Sequence, residues 1–222
     1  MMSCVVTNNA EASLPFHRHD DARVIVVIEG EICENSLAGR RTYQAGEFLF
    51  RPPFCAHENA SSGKAAAFLR LPVSKKAWLA VVKRHGWRAL SGQFDIRDRK
   101  HRVLLRPNAS GDAFLDLSVG IPTGATQRPE IVLSKFFSVL ANDSGVKPYA
   151  LTRNVRREFG LTPTQFRSEW RLRSALNLLA SSNAAIVDVA SECGFADQSH
   201  LTRMVKSATG YAPAAFRRLI QG

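Results

Sequence analysis

A duplicated stretch near the carboxyl end constrains the fold of this chain more than any other feature. Residues 151–167 read LTRNVRREFGLTPTQFR and residues 201–217 read LTRMVKSATGYAPAAFR, at an offset of 50 residues with eight of 17 positions identical. The similarity extends upstream with one residue of slip, since Leu140 and Gly145 match Val189 and Gly194. The last third of the 222-residue chain therefore contains two copies of one supersecondary unit.

The second copy has the pattern of a helix, a short turn and a helix. Asn183 is a candidate N-cap for a short helix whose apolar residues recur at i, i+3, i+4 and i+7 from Ile186. Gly194 ends this helix, because glycine accepts the left-handed conformation that follows a helix C-terminus. Asp197 is placed to cap a second helix, which continues to Gly210.

The first copy follows the same plan, with Gly145 at the turn and Pro148 at the start of its second helix. Between the copies, residues Thr162 and Gln165 form a capping box that begins a long helix ending near Leu179. Such a helix joins the two units rigidly. If it holds them about one DNA turn apart, roughly 34 Å, the second helix of each unit, its recognition helix, can enter one of two successive major grooves of a duplex.

Charge is distributed unevenly along the chain, and the excess is positive. Residues 1–72 have a net charge of −1, whereas residues 73–130 and 131–222 each carry +6 of the total +11. A positive field of this kind favours polyanions, of which nucleic acid is the commonest. The outward faces of the two units carry side chains that suit base edges and phosphates. The candidate contacts are Tyr149, Thr152, Arg153 and Arg156 in the first unit, and Gln198, Ser199, Thr202, Arg203 and Lys206 in the second. Arg157 also lies on the outward face of the first unit.

The residues from about Leu140 to Arg218 resemble the DNA-binding domain of the AraC/XylS family. The resemblance is most specific in RLxxA at 171–175, VAxxxGFxxxxxLxR at 189–203 and GxxP at 210–213. It implies seven helices with base contacts from the third and sixth, and a sequence-specific transcription regulator that binds promoter DNA. Valine stands at 155 and 205 where the family usually has phenylalanine, and Lys147 replaces the usual serine cap. RNA polymerase is an expected partner if the protein is an activator.

The amino-terminal part alternates short apolar runs with turn residues, which predicts an all-β barrel or sandwich. Runs at 23–28, 37–41, 46–50 and 65–71 are candidate strands, and residues 74–86 have helical spacing and are expected to help form a homodimer. Residues 94–117 supply one or two returning strands, or a basic linker. The predicted fold class is α+β, with a sensor and dimerisation domain at 1–120 and a double helix-turn-helix domain at 121–222.

Histidines mark the candidate site of the amino-terminal domain. Two stretches resemble the signature stretches of the cupin superfamily. The first contains His17 and His19, and the second contains Gly46, Pro52 and His57. Metal-binding cupins use three histidines and a glutamate, but here Arg23 stands at the glutamate position and Phe54 replaces a glycine. We therefore expect no metal or other cofactor, although a three-histidine metal site stays open. The favoured hypothesis is that His17, His19, Arg23 and His57 line a pocket for a small, anionic effector, as in AraC-type sensor barrels; surface residues without a ligand are the alternative.

Composition excludes several classes of protein. No apolar run approaches the roughly 20 residues of a membrane span, and the amino terminus has no secretory pattern, so a cytoplasmic location is expected. The four cysteines lie far apart, which argues against a disulfide framework or a thiolate zinc site. We predict a binding protein without catalytic residues. The alternatives are a cupin-type metal-dependent enzyme that uses His17, His19 and His57, and an architectural DNA-binding protein without a ligand.

Overall fold

A computed structural model describes residues 4–8, 14–60, 65–87, 89–93, 110–118 and 148–222. Within these ranges the amino-terminal part is built from strands and the carboxy-terminal part from helices. The strands are β1 (Cys4–Asn8), β2 (Leu14–His17), β3 (Ala22–Ser36), β4 (Gly39–Gln44), β5 (Glu47–Arg51), β6 (His57–Ala60), β7 (Ala66–Val73) and β8 (Leu90–Gln93). The helices are α1 (Lys75–His85), α2 (Gly111–Ser118), α3 (Pro148–Phe159), α4 (Pro163–Ser181), α5 (Ile186–Glu192), α6 (Gln198–Thr209) and α7 (Pro213–Gln221).

Strand β3 organises the β domain, the strands β1–β8 with α1 and α2. Its first half pairs with β5 and β7 in a sheet of order β1-β7-β3-β5-β8, and its second half pairs with β4 and β6. All these pairings are antiparallel. A bulge between Val27 and Glu29, followed by Gly30 at φ 72°, lies where the strand passes from one set of partners to the other. The predicted run at 23–28 is therefore the first part of one long strand, which bends at Gly30.

The sheet that contains the first half of β3 is buried on both faces. Ile25 and Val27 belong to one hydrophobic cluster with Tyr43, Leu49 and Phe68. Their neighbours Val24 and Val26 belong to a second cluster with α1 and the carboxy-terminal helices. Because successive side chains of a strand point to opposite faces, burial of both faces explains the continuous apolar run at 24–28.

The predicted helix at 74–86 is present as α1, capped by Ser74, whose hydroxyl accepts a hydrogen bond from the Ala77 N–H at 3.2 Å. Its apolar residues Trp78, Val81 and Val82 are buried within the chain itself, which leaves them no role in a dimer contact. Residues 111–118 form helix α2, so this end of the 94–117 segment is neither a returning strand nor a linker.

The carboxy-terminal helices begin and end at most of the predicted signals. Thr162 and Gln165 form the capping box of α4, and the Asp197 carboxylate accepts a hydrogen bond from the His200 N–H at 2.6 Å at the start of α6. Gly210 ends α6 in the left-handed conformation. Asn183 does not cap α5, because that helix begins at Ile186 after Ala185, without a side-chain cap. The helix is therefore stabilised chiefly by its buried Val189 and Ala190.

The predicted α+β class, strands followed by a helical domain, is confirmed. The boundary at 120 and 121 and the turn at Gly145 lie outside the described residues. No helix in the described ranges is long and apolar enough to cross a membrane.

Candidate nucleic-acid interface and histidine pocket

Helix α3 carries the outward face of the first unit. Val155 and Phe159 are completely buried, and they fix the helix with its opposite side toward solvent. Tyr149 is 65% exposed, Arg153 and Arg156 are exposed, and Thr152 is half-buried at the edge of the same face. The basic side chains thus occupy the surface that the helix does not use for packing.

Helix α6 repeats this arrangement in the second unit. Leu201 and Val205 are completely buried, at the positions equivalent to Leu151 and Val155. The other predicted contacts lie on the outer side, with one half-buried member. The exposed residues are Gln198, Ser199, Arg203 and Lys206, and the half-buried residue is Thr202.

The turn between α5 and α6 holds the second unit in a tight corner. Gly194 has φ 73°, and the Phe195 N–H donates to the Ala190 carbonyl at 2.9 Å. Phe195 folds back into the core and is 7% exposed. This apolar plug holds α6 against α5, so its outer face keeps a fixed direction.

The three predicted pocket histidines come together in the β domain. His17 ends β2, His57 begins β6 opposite it, and His19 follows in the next loop. Their ring centroids lie 4.3 Å apart for His17 and His57, 4.9 Å for His17 and His19, and 5.3 Å for His19 and His57. The ligating atoms of all three lie within 4.8 Å of one another.

Backbone carbonyls orient two of these rings. Nδ1 of His17 donates to the Pro15 carbonyl at 2.7 Å, and Nδ1 of His57 donates to the Cys55 carbonyl at 3.2 Å. A carbonyl only accepts, so Nδ1 carries the hydrogen and Nε2 is directed to the other side of each ring. Nε2 of His57 is buried and has no hydrogen-bond partner among the described residues.

Burial keeps two of the imidazoles neutral. Desolvation, followed by the charge of Arg23, lowers the pKa of His19 from 6.5 to about 4. Desolvation and then Arg51 lower the pKa of His57 from 6.5 to about 2, although its bond to the Cys55 carbonyl opposes the shift. At neutral pH both rings therefore offer lone pairs instead of positive charges.

The arginines beside the pocket already have carboxylate partners. Arg23 forms an ion pair with Asp21, and the buried Arg51 forms one with the buried Glu34. This pairing reduces the positive potential that the sequence predicted from Arg23 alone. Sequence reasoning missed Asp21, Glu34 and Arg51; a carboxylate two residues before Arg23 was the one local signal for such a pair.

Three clustered imidazoles are a suitable donor set for a divalent transition-metal ion, because neutral imidazole is a ligand for Zn²⁺, Ni²⁺ and Cu²⁺. Hydrogen bonds from Nδ1 to backbone carbonyls are the usual support of metal-binding histidines. The same lone pairs can accept hydrogen bonds from an organic ligand. The pocket residues therefore fit either kind of occupant.

The pocket lies next to the contact between the β domain and the helical domain. Arg18, between His17 and His19, forms an ion pair with Glu169 of α4. The Trp87 backbone N–H donates to Oδ1 of Asn177 in the same helix at 2.5 Å. No local pattern indicates either contact, since the partners are 151 and 90 residues apart in the chain.

The cysteine side chains that the structure describes are buried. Cys33, Cys55 and Cys193 are buried free thiols. Burial raises the pKa of Cys55, and it raises that of Cys193 from 9.0 to about 11. Both side chains thus remain protonated and unreactive near neutral pH.

Comparison with known proteins points to the carboxy-terminal part of the chain. Residues 140–219 match the family model of a helix-turn-helix domain. The HTH-type transcriptional activator RhaS of Escherichia coli (strain K12 / DH10B) is 28% identical over 82 residues. That alignment covers 37% of this chain and 30% of RhaS, so the similarity spans less than a third of the relative's length.

Solved structures give weaker likenesses. ToxT from Vibrio cholerae O395 has 12% identity and a TM-score of 0.40 over 99% of this chain and 98% of ToxT. A cupin-2 domain containing protein from Shewanella frigidimarina has 23% identity and a TM-score of 0.28 over 31% of this chain and 65% of that one. The comparisons therefore concern residues 140–219, which contain the two matched units and match the model of a helix-turn-helix domain.

Proposed function

We propose that this chain is a sequence-specific DNA-binding transcription regulator that uses both helix-turn-helix units. The observation that carries the proposal is the match between α3 and α6. Repeat-equivalent valines bury the inner side of each helix completely, while equivalent arginines, Arg153 and Arg203, are exposed on the outer side. Two equivalent basic faces joined by one continuous 19-residue helix suit two successive major grooves.

The exposed residues divide into two chemical roles. Tyr149, Thr152 and Arg153 in the first unit are proposed to contact base edges, and Arg156 a phosphate. In the second unit the base contacts are Gln198, Ser199, Thr202 and Arg203, and the phosphate contact is Lys206. Arginine can donate two hydrogen bonds to one guanine, which makes Arg153 and Arg203 the strongest candidates for sequence readout.

The test is the affinity of the purified chain for a selected duplex and for a scrambled duplex of the same composition. A regulator prefers its own site by roughly a thousandfold or more at physiological salt. Equal affinities would instead favour an architectural DNA-binding protein. Substitution of Val187, which is exposed but outside both proposed faces, by alanine is the matched control.

His17, His19, Arg23 and His57 are proposed as the effector pocket. Supporting this are the convergence of the three rings, the buried Nε2 of His57 without a partner, and the two lowered pKa values. Because Arg23 is paired with Asp21, we propose a ligand that donates hydrogen bonds to neutral imidazole, in place of the small anionic effector expected from the sequence. Isothermal titration with candidate ligands, repeated on His57→Leu, tests this assignment.

A divalent transition-metal ion is the second candidate occupant, favoured by the clustering of three ligating nitrogens. Metal analysis of the purified protein, followed by DNA binding with and without chelator, separates the two candidates. A regulatory metal changes DNA affinity when it is removed. Turnover that depends on His17, His19 and His57 would instead support the enzyme alternative, since the proposed regulator has no catalytic step.

The remaining partners follow from the proposed role. We propose that the protein is cytoplasmic, where it meets promoter DNA, and that it forms a homodimer. If it is an activator, RNA polymerase is a further proposed partner. Light scattering of the free chain and of its DNA complex tests the dimer. Transcription in a purified system with and without the chain distinguishes activation from repression.

A further inference from the structure

We propose that the β domain sets the relative orientation of the two helix-turn-helix units by packing on an equivalent position in each. This inference rests on the proposed two-unit recognition of DNA. The packing would fix the spacing of the recognition helices and connect the histidine pocket to that spacing.

The equivalent positions are Phe166 in α4 and Phe216 in α7, which are 50 residues apart and match in the duplication. Both are completely buried, and each packs with residues of the β domain. Phe166 shares a hydrophobic cluster with Leu37, and Phe16 packs against that cluster. The ring of Phe216 lies 6.1 Å from that of Phe54 and 5.3 Å from that of Trp87, between centroids.

Polar and steric contacts reinforce the side that faces the first unit. Arg18 pairs with Glu169, three residues after Phe166. Gly160, at the end of α3, approaches Asn35 of β3 so closely that a Cβ there would lie 2.4 Å from Cβ of Asn35. Asn35 is itself held, because its Nδ2 donates to Glu58 at 2.7 Å. The approach of β3 to α3 is therefore defined within a narrow range.

The β-domain residues that contact the two units lie beside the pocket histidines. Phe16 and Arg18 flank His17, and Leu37 follows Ser36, the β-ladder partner of His57. On the other side, the Phe54 N–H donates to the His19 carbonyl at 2.7 Å. A ligand that moves the histidines thus moves residues that contact both units, which supplies two connections from one pocket.

Phe54 provides a sharp way to break one of these connections. Its φ of 65° lies in the left-handed region, which favours glycine and is unusual for an aromatic residue. Such a conformation persists where surrounding contacts hold it, and here the ring packs with Trp87 and Phe216. Phe54→Gly therefore keeps the backbone path of the pocket while removing the contact with the second unit.

The experiment measures the distance distribution between spin labels on Arg153→Cys and Arg203→Cys in the full chain, without DNA. These equivalent residues are exposed on α3 and α6. The chain without these substitutions, in which Cys33, Cys55 and Cys193 are buried, measures labelling of native thiols. Circular dichroism and thermal unfolding establish that each variant is folded.

We expect one narrow distribution in the doubly labelled parent chain, and a distribution that shifts or broadens beyond that width in Phe54→Gly. Leu37→Ala, which acts on the first unit, should do the same and serves if Phe54→Gly does not fold. Val187→Ala should leave the distribution unchanged. Parent-like distributions in folded Phe54→Gly and Leu37→Ala would overturn the inference. Because no DNA is present, this outcome is separate from a failure of sequence-specific binding.

Discussion

The two helix-turn-helix units share a sequence pattern but differ in what surrounds the same turn. Gly160 and Gly210 are equivalent, and both have left-handed φ values, 72° and 79°. A Cβ at Gly160 would collide with Asn35 of the β domain, whereas a Cβ at Gly210 would have no atom within 4 Å. The same glycine therefore determines the local turn in both units. The β domain determines how much space surrounds that turn, because it crowds the first turn and not the second.

The cores of the units differ in extent. In the described part of the first unit, Val155 and Phe159 share a small cluster with Leu37 of the β domain. In the second unit, Leu201 and Val205 belong to a larger cluster, to which the unit's own opening helix and many β-domain residues contribute. The recognition helix of the first unit therefore depends on a smaller set of contacts with the β domain for its position.

The largest effect is expected from Gly160→Ala, with Gly210→Ala as its matched partner. At Gly210 the loss is the left-handed strain of a Cβ, about 1 kcal/mol of unfolding free energy. At Gly160 displacement of Asn35 adds to that strain, for a total of about 2–4 kcal/mol. Urea unfolding measures both values. Equal losses would mean that the β domain does not crowd the first unit.

The next largest effect is expected from acid, which should destabilise the first unit before the second. The pKa of His57 is lowered from 6.5 in the unfolded chain to about 2 in the folded chain, so the unfolded state binds more protons below pH 6.5. Its contribution is complete above that pH and is lost as the pH falls, on the order of 2–3 kcal/mol by about pH 4.5. With chelator present, hydrogen exchange should show α3 losing protection before α6, and His57→Leu should flatten the pH dependence. Simultaneous loss in both helices would contradict the proposed dependence of the first unit.

DNA binding tests the two units separately, because each is proposed to read one half-site. Arg203→Ala is expected to weaken binding to the selected duplex by about 1–3 kcal/mol and to relax preference in one half-site. Arg153→Ala should do the same in the other half-site. Competition with single-base variants of the duplex measures the change. An unaltered preference in either variant would remove that arginine from base recognition.

The smallest effect is expected from Lys206→Ala. Loss of a phosphate contact weakens binding to all sequences alike and reduces the slope of log affinity against log salt by about 1. Affinities at several salt concentrations, for selected and scrambled duplexes, measure both quantities. If only the selected duplex were affected, Lys206 would be a base contact.

Local signals predicted much of the fold. The capping box at Thr162, the cap at Asp197 and the glycine turn at Gly194 depend on neighbours within a few residues, and each is present where expected. The same holds for α1 and the strands around Val24. Asn183 failed as a cap because a good capping residue type does not fix where a helix begins.

Contacts between distant residues could not be predicted. The ion pairs of Arg18 with Glu169 and of Arg51 with Glu34 depend on how the domains and strands meet, which periodicity does not reveal. The convergence of His17, His19 and His57 was expected only through a family resemblance. Arg23 was correctly noticed as unusual, but its pairing with Asp21 changed the charge of the pocket that had been expected.

Selection of preferred sites from random duplex DNA by the purified chain, at about 0.15 M salt, tests the central claim most directly. We predict paired motifs about one helical turn apart, roughly 10–10.5 base pairs between centres. Selection with Arg153→Ala should lose one motif and selection with Arg203→Ala the other. No enriched sequence, or a single motif that neither substitution alters, would contradict recognition by two helix-turn-helix units.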